Sequence, residues 1–180
     1  MNTNIEVIRC EVNAEGIALL TIDYPGKTMN VIDQAFMDSL QACIERVKSD
    51  AAIRGAIVTS GKDAFVAGAD LMAMEANLDN TADDPVEVAF EKYGSLSRVF
   101  RKLETCGKPF VAAINGTAMG GGFELALACH HRILSNAPSA VVGLPEVQVG
   151  LLPGAGGTQR LPRLIGIQAA MPYLMEGKHA

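Results

Sequence analysis

Glu124 and Glu146 each stand beside a glycine-rich stretch with almost no other charge. The first closes Met119-Gly120-Gly121-Gly122-Phe123-Glu124; the second closes Gly143-Leu144-Pro145-Glu146 and leads into Leu152-Pro153-Gly154-Ala155-Gly156-Gly157-Thr158-Gln159-Arg160. A carboxylate set among Leu, Ala and Gly is costly to bury, and burial pushes it toward its neutral form. Two such groups in one apolar half of a chain point to proton-transfer chemistry. The competing reading is that each is an ordinary surface or helix-cap glutamate.

The glycines carry a second clue. Backbone N–H groups at the start of a buried helix lack intrahelical partners and point at whatever approaches, so a glycine cluster there suits an oxyanion. Close helix–strand packing is the plainer use of Gly120 to Gly122. Dinucleotide binding is disfavoured, because Leu125 and Gln159 stand where G-x-G-x-x-G needs its last glycine, and no G-K-[ST] is present. The pair His130-His131 lacks ligand spacing, and Cys10, Cys43, Cys106 and Cys129 form no C-x-x-C. No metal site and no disulfide framework is expected; reduced, mostly buried thiols are.

The elements that must position these residues read as an α/β alternation. Ile5 to Val12 and Ile17 to Asp23 are short apolar runs around the turn Asn13-Ala14-Glu15-Gly16, which predicts a hairpin. Asp33 is an N-cap for a helix with Phe36, Met37, Leu40, Ile44 and Val47 on one stripe, ending near Ser49-Asp50. Gly55 to Thr59 reads as a buried strand. Asn77 to Asp84 is polar and acidic and reads as a surface loop before a helix from Val86 to Leu103. Pro109 to Ile114 has the continuous apolar character of a strand buried on both faces. A helix over Gly122 to Cys129 then places Glu124 in its first turn, and strands follow at His131 to Leu134 and Ala140 to Val142. Pro172 is expected to interrupt a helix in the tail.

The chain of 180 residues is 49% hydrophobic and 19% charged, enough for one compact domain. Its net charge of −5 argues against a general nucleic-acid binder. No apolar run is long enough to span a bilayer, and the first residues lack a secretory or organellar pattern, so a bacterial cytoplasmic protein is expected.

Four segments together resemble one family. They are Phe65-Val66-Ala67-Gly68-Ala69-Asp70-Leu71, Ala113-Ile114-Asn115-Gly116, Gly120 through Cys129, and Gly143 through Arg163, with Pro25-Gly26-Lys27-Thr28-Met29-Asn30 in support. In this order they are similar to the crotonase (enoyl-CoA hydratase/isomerase) family, most of all to the hydratase modules that open multifunctional fatty-acid oxidation α subunits. The resemblance implies a spiral of β-β-α units with two roughly perpendicular sheets and an acyl-CoA thioester as partner. Coenzyme A would be part of the substrate, with no separate cofactor. It further implies an oxyanion hole from the N–H groups of Ala69 and Gly121, catalytic roles for Glu124 (water-positioning base) and Glu146 (acid), and Gly154 near the attacking water. Ala67, Gly68, Asp70 and Leu71 match the CoA-binding segment, with Lys27 as a candidate phosphate contact and Asp63 where many relatives place a lysine.

The implied reaction is hydration of a 2-trans-enoyl-CoA in fatty-acid β-oxidation. The alternatives are isomerisation of a 3-enoyl-CoA in the same site, and acyl-CoA binding without turnover. Relatives continue past Met175-Glu176-Gly177-Lys178-His179-Ala180 into helices that close the acyl pocket and build trimers, and some form complexes with a thiolase subunit. Residues 1–180 are therefore expected to be the hydratase core of a longer chain, ending before the helical trimerisation region.

Overall fold

From the second strand onward, each strand laid down in the main sheet is followed by a short extended segment in a second layer and then by helix, and this repeat places the site residues. The computed structural model describes residues 6–70 and 85–180. The chain opens with β1 (Ile8–Val12) and β2 (Ile17–Ile22), antiparallel with Ile8 opposite Ile22. Asn13 sets the turn between them, its Oδ1 accepting the N–H groups of Glu15 and Ile17 at 3.0 and 2.9 Å. From β2 onward the sheet is parallel: β3 (Gly55–Ser60), β4 (Phe110–Ile114) and β6 (His131–Leu134) complete the order β1-β2-β3-β4-β6.

The second layer is short and irregular. After β2 comes Ile32, which bridges Ala69; after β3 comes Val66, which bridges Ala118; after β4 comes β5 (Ala118–Met119), which pairs with β7 (Val142–Gly143), itself after β6. Four successive turns of the chain thus contribute in register to both layers. These are the two sheets of the expected spiral.

Helices close each turn. Asp33 caps α1 (Gln34–Ser49), its Oδ1 accepting the N–H of Phe36 at 3.0 Å. Phe36, Leu40, Cys43, Ile44 and Val47 are buried along one face, and each large apolar side chain contributes about 2 kcal/mol by leaving water. The expected helix over Val86–Leu103 is two, α2 (Val86–Tyr93) and α3 (Ser95–Glu104), separated at Gly94. Glycine is a poor helix former, and the backbone opens there to ψ −5°. The expected acidic loop over residues 77–84 lies outside the described residues, as do Leu71 and Ile5; the first strand, expected from Ile5, starts at Ile8.

Three other expectations shift. The strand predicted from Pro109 starts at Phe110, since proline has no N–H for the ladder; of its side chains Phe110, Ala112 and Ile114 are buried, and Val111 and Ala113 are only half so. The strand expected at Ala140–Val142 is β7, two residues later. The expected break at Pro172 does not occur: α6 (Ile167–Glu176) runs through it, as α5 (Gly157–Ile165) runs through Pro162. Proline's fixed φ is compatible with a helix; one donor is lost, and packing of α6 on α5 and on the 3₁₀ helix Pro145–Val149 retains the rest.

The helix α4 (Gly121–Ala128) is buried at every position, and it lies between the sheet layers and α3 and α5. Gly122 permits this, because a Cβ there would stand 2.2 Å from the carbonyl oxygen of Val66. Buried Asn30 ties the layers to one another. Its Oδ1 accepts from Tyr24 N–H at 2.9 Å, its Nδ2 reaches the Ile22 and Phe65 carbonyls and Ser60 Oγ at 2.8 to 3.1 Å, and its carbonyl accepts from Ala67 N–H. No helix among the described residues is long and apolar enough to cross a membrane.

Candidate active site

The site forms where β5 turns into α4. Gly120 makes that turn with φ 53° and ψ −126°, a conformation closed to residues with a Cβ, and its N–H is held by the Gly143 carbonyl at 2.9 Å. The next N–H, that of Gly121, is at the first helical position, where no intrahelical acceptor exists. Beside it runs the segment Ala67 to Asp70. Ile32 donates to the Gly68 carbonyl and accepts from Asp70 N–H, so the ladder directs the N–H of Ala69 away from Ile32. Gly68 brings this segment against Met119, since a Cβ on it would lie 3.2 Å from the Met119 carbonyl oxygen. Ala67, Gly68, Ala69 and Asp70 therefore sit at the entrance to α4, while Leu71 lies outside the described residues.

Glu124 is one turn into α4 and only 3% exposed. Its Oε1 accepts from Gly157 N–H at 2.8 Å, and the backbone N–H of Ala155 also favours its charged form. Gly157 has no side chain to obstruct this: an added Cβ would stand 3.1 Å from the same oxygen. Glu146 enters from the first turn of the 3₁₀ helix, with its Oε1 about where a Cβ on Gly120 would touch it, at 3.1 Å. Its Oε2 is buried and has no hydrogen-bond partner among the described residues. Glu146 thus reaches the Gly120 turn, and its charge acts on Glu124.

Electrostatics here favour neutral carboxyls. Burial pushes Glu124 up to about 7, helped by the charge of nearby Glu146 and opposed by the Gly157 and Ala155 donors and by Arg160. Burial also raises Glu146, against which acts only its own backbone N–H. A carboxyl with a pKa near 7 can take up and release a proton at neutral pH.

Lys27 belongs to a separate cluster. Its Nζ lies 3.1 Å from Asp70 Oδ2, 3.6 Å from Asp33 Oδ2, and 4.4 Å from the centre of the Tyr24 ring. Two residues matched to CoA contacts, Lys27 and Asp70, are thereby brought together as an ion pair. Gly154 is solvent-exposed, and the donors that reach Glu124 come from one and three residues further along. His130 uses Nδ1 to accept from Phe110 N–H at 3.1 Å, a contact that joins β4 to the end of α4. Two surface clefts, of about 340 Å³ between β1 and α1 and about 190 Å³ between α1 and α3, are lined by none of these residues.

Sequence reasoning passed over Ala155, Gly157, Arg160 and Asn30 as individual residues. All but Asn30 lie in the quoted stretch after Glu146; the available signal was its unusual density of glycine beside a single arginine.

A sequence profile described as Enoyl-CoA hydratase/isomerase matches residues 12–180. The fatty acid oxidation complex subunit alpha of Shewanella amazonensis is 48% identical over 165 residues, 91% of this chain, and that of Shewanella loihica is 48% identical over 164. The chain spans 22% of the length of either. Among solved structures, Pseudomonas aeruginosa DspI superposes with a TM-score of 0.81 at 35% identity, covering 100% of this chain and 69% of that one. The enoyl-CoA hydratase from Bacillus anthracis gives 0.80 at 33%, over 96% and 64%. With the profile matched along nearly its whole length and the same fold in these relatives, the chain belongs to the enoyl-CoA hydratase/isomerase, or crotonase, family.

Proposed function

We propose that residues 1–180 form a hydratase core that adds water across the C2=C3 bond of a 2-trans-enoyl-CoA. The N–H groups of Ala69 and Gly121 hold the thioester oxygen. That oxygen gains charge as hydroxide adds to C3, and preorganised amides at such a point commonly supply several kcal/mol. Glu124 and Glu146 hold the water between them, near Gly154 and the turn that follows it. Glu124 takes the proton from the water as its oxygen bonds to C3; Glu146 gives a proton to C2 as the enolate collapses; one proton then passes between the acids to restore the starting state.

The division of roles follows from their surroundings. Two amides and a nearby guanidinium favour the charged form of Glu124, and a pKa near 7 suits a base that must load and unload at neutral pH. Glu146 has no such donors beyond its own N–H, and a bound thioester removes its remaining contact with water, which favours the acid form. Backbone groups of Ala67, Gly68 and Asp70 line the path of the CoA moiety, and Lys27 meets a phosphate by turning from its carboxylates. Coenzyme A travels with the substrate, so the chemistry needs no other cofactor. Bacterial relatives named as subunits of fatty acid oxidation complexes fit work in β-oxidation within a larger cytoplasmic assembly.

The observation that carries this reading is the unpartnered, buried Oε2 of Glu146 beside a second carboxyl poised near 7. Loss of enoyl-thioester absorbance with crotonyl-CoA tests it. Glu146→Gln is expected to cut kcat by about 10²- to 10⁴-fold while acyl-CoA still binds; equal activity in that variant refutes the reading. Isomerisation of 3-hexenoyl-CoA, followed in parallel, separates the two activities that the family name covers.

A further inference from the structure

Arg160, in the first turn of α5, keeps only 14% of its side chain exposed and uses every face of its guanidinium. Nε and Nη2 meet Oε1 and Oε2 of Glu104, the last residue of α3, at 3.3 and 3.2 Å. Nη1 donates to the Ala155 carbonyl at 2.9 Å. Arg101 adds a second cation on Glu104 at 2.6 Å. Gly156, at φ 112°, gives the guanidinium its room, since a Cβ there would collide with Nη1. Arg160 thus grips the turn at the Ala155 carbonyl, two residues before the Gly157 N–H that donates to Glu124.

We propose that Arg160, braced by Glu104, is a positioning residue for the reaction: it locks the turn Ala155-Gly156-Gly157 so that its amides hold the Glu124 carboxyl in the orientation that engages water. The inference rests on the hydratase reading above. A planar fork is needed, because one group must grip a carboxylate with two prongs and a carbonyl with a third, which an ammonium does not do. A part-exposed ion pair by itself adds little to stability. Its leverage is geometric, since displacing a reacting group by about 1 Å costs on the order of 100-fold in rate.

The test uses the whole chain with Arg160→Met, Arg160→Lys and Glu104→Gln, each read by kcat and KM for crotonyl-CoA hydration and by carbon-13 NMR titration of the Glu124 carboxyl. Arg160→Met is expected to lower kcat by about 10- to 100-fold with KM held within about threefold. The Glu124 titration should move upward, because both the cation and firmly held amides favour its carboxylate. Arg160→Lys, which keeps the charge and loses the fork, falls in between, and Glu104→Gln shifts both readings the same way by less. If Arg160→Met does not fold, Glu104→Gln preserves shape and gives the same two readings. Unchanged kcat per folded molecule and an unmoved Glu124 titration overturn the proposal, even where thermal stability drops. The two readings fail differently: hydration that survives Glu124→Gln sinks the catalytic pair, whereas loss in Glu124→Gln with wild-type kcat in the other variants sinks only the brace.

Discussion

Two corners of the molecule each gather a pair of carboxyl groups, and they handle the charge in opposite ways. At the Tyr24 corner, Asp33 and Asp70 share the ammonium of Lys27, Asp33 takes the Tyr24 hydroxyl at 2.5 Å, and Asp33 also caps α1. Every charge there has an opposite charge or a donor. At the α4 corner, Glu124 and Glu146 rely on backbone amides, and Arg160, the cation that acts on Glu124, is committed to Glu104 and Ala155. A neutralised pair stabilises local structure. An unneutralised buried pair stores electrostatic cost, which proteins retain where a proton must move.

The contrast breaks most severely if both acids are made neutral. The double variant Glu124→Gln/Glu146→Gln should lose at least about 10³-fold in hydration, yet well short of the product of the single losses, because groups that act as a unit are strongly non-additive. Single and double kcat values settle it; multiplicative losses would mean that the two work independently.

The stored cost should also appear as stability. With its folded pKa raised from 4.5 to about 7, Glu124 binds its proton more tightly folded than unfolded, so the chain loses stability as pH rises through that window. Glu124→Gln should therefore stabilise by up to about 3 kcal/mol at pH 8, with the gain fading toward pH 4. Urea unfolding at the two pH values measures this. A gain equal at both pH values would place its origin outside the titration.

Asn30 lies between the corners, and replacing it breaks the link rather than either end. Asn30→Ala leaves Tyr24 N–H and the Phe65 carbonyl short of a partner in the interior, while the Ile22 carbonyl keeps Gly61 N–H. A loss of about 2 kcal/mol in urea unfolding is expected, with KM rising more than kcat falls, because the segment at Ala67 to Asp70 loosens. Unchanged stability would show that water or neighbouring groups replace the amide.

The extent to which these corners could be read from sequence follows from the range of the interactions. Asp33 as an N-cap, the turn at Asn13 and the burial of α4 are local, and local patterning displayed them. The helix break at Gly94 and the passage through Pro162 and Pro172 depend on packing against other elements, so periodicity alone misjudged the tail. The Glu124–Glu146 pair stood out because charge is rare in apolar, glycine-rich stretches. Its partners did not, because Gly157 N–H meets Glu124 across 33 residues and Arg160 meets Glu104 across 56. Backbone donors carry no side-chain signature, and a single arginine after a glycine run does not disclose which carboxylate it will find. The layering of Ile32, Val66 and Ala118 was equally hidden, since bridges of one or two residues leave no alternating pattern to read.

The smallest effect belongs to the neutralised corner. Lys27→Met removes the cation from between Asp33 and Asp70, but the lysine side chain is a third exposed and the pair is screened by solvent, so the cost should be about 1 kcal/mol or less. It should shrink further in high salt, as exposed ion pairs do. Hydration then decides what else the lysine does: if it also meets a CoA phosphate, KM for crotonyl-CoA rises several-fold while kcat stays put, and the rise disappears with a pantetheine thioester that lacks the nucleotide. A KM unchanged for both substrates would confine Lys27 to the Tyr24 cluster. The comparison would then sharpen, with one corner given wholly to structure and the other to chemistry.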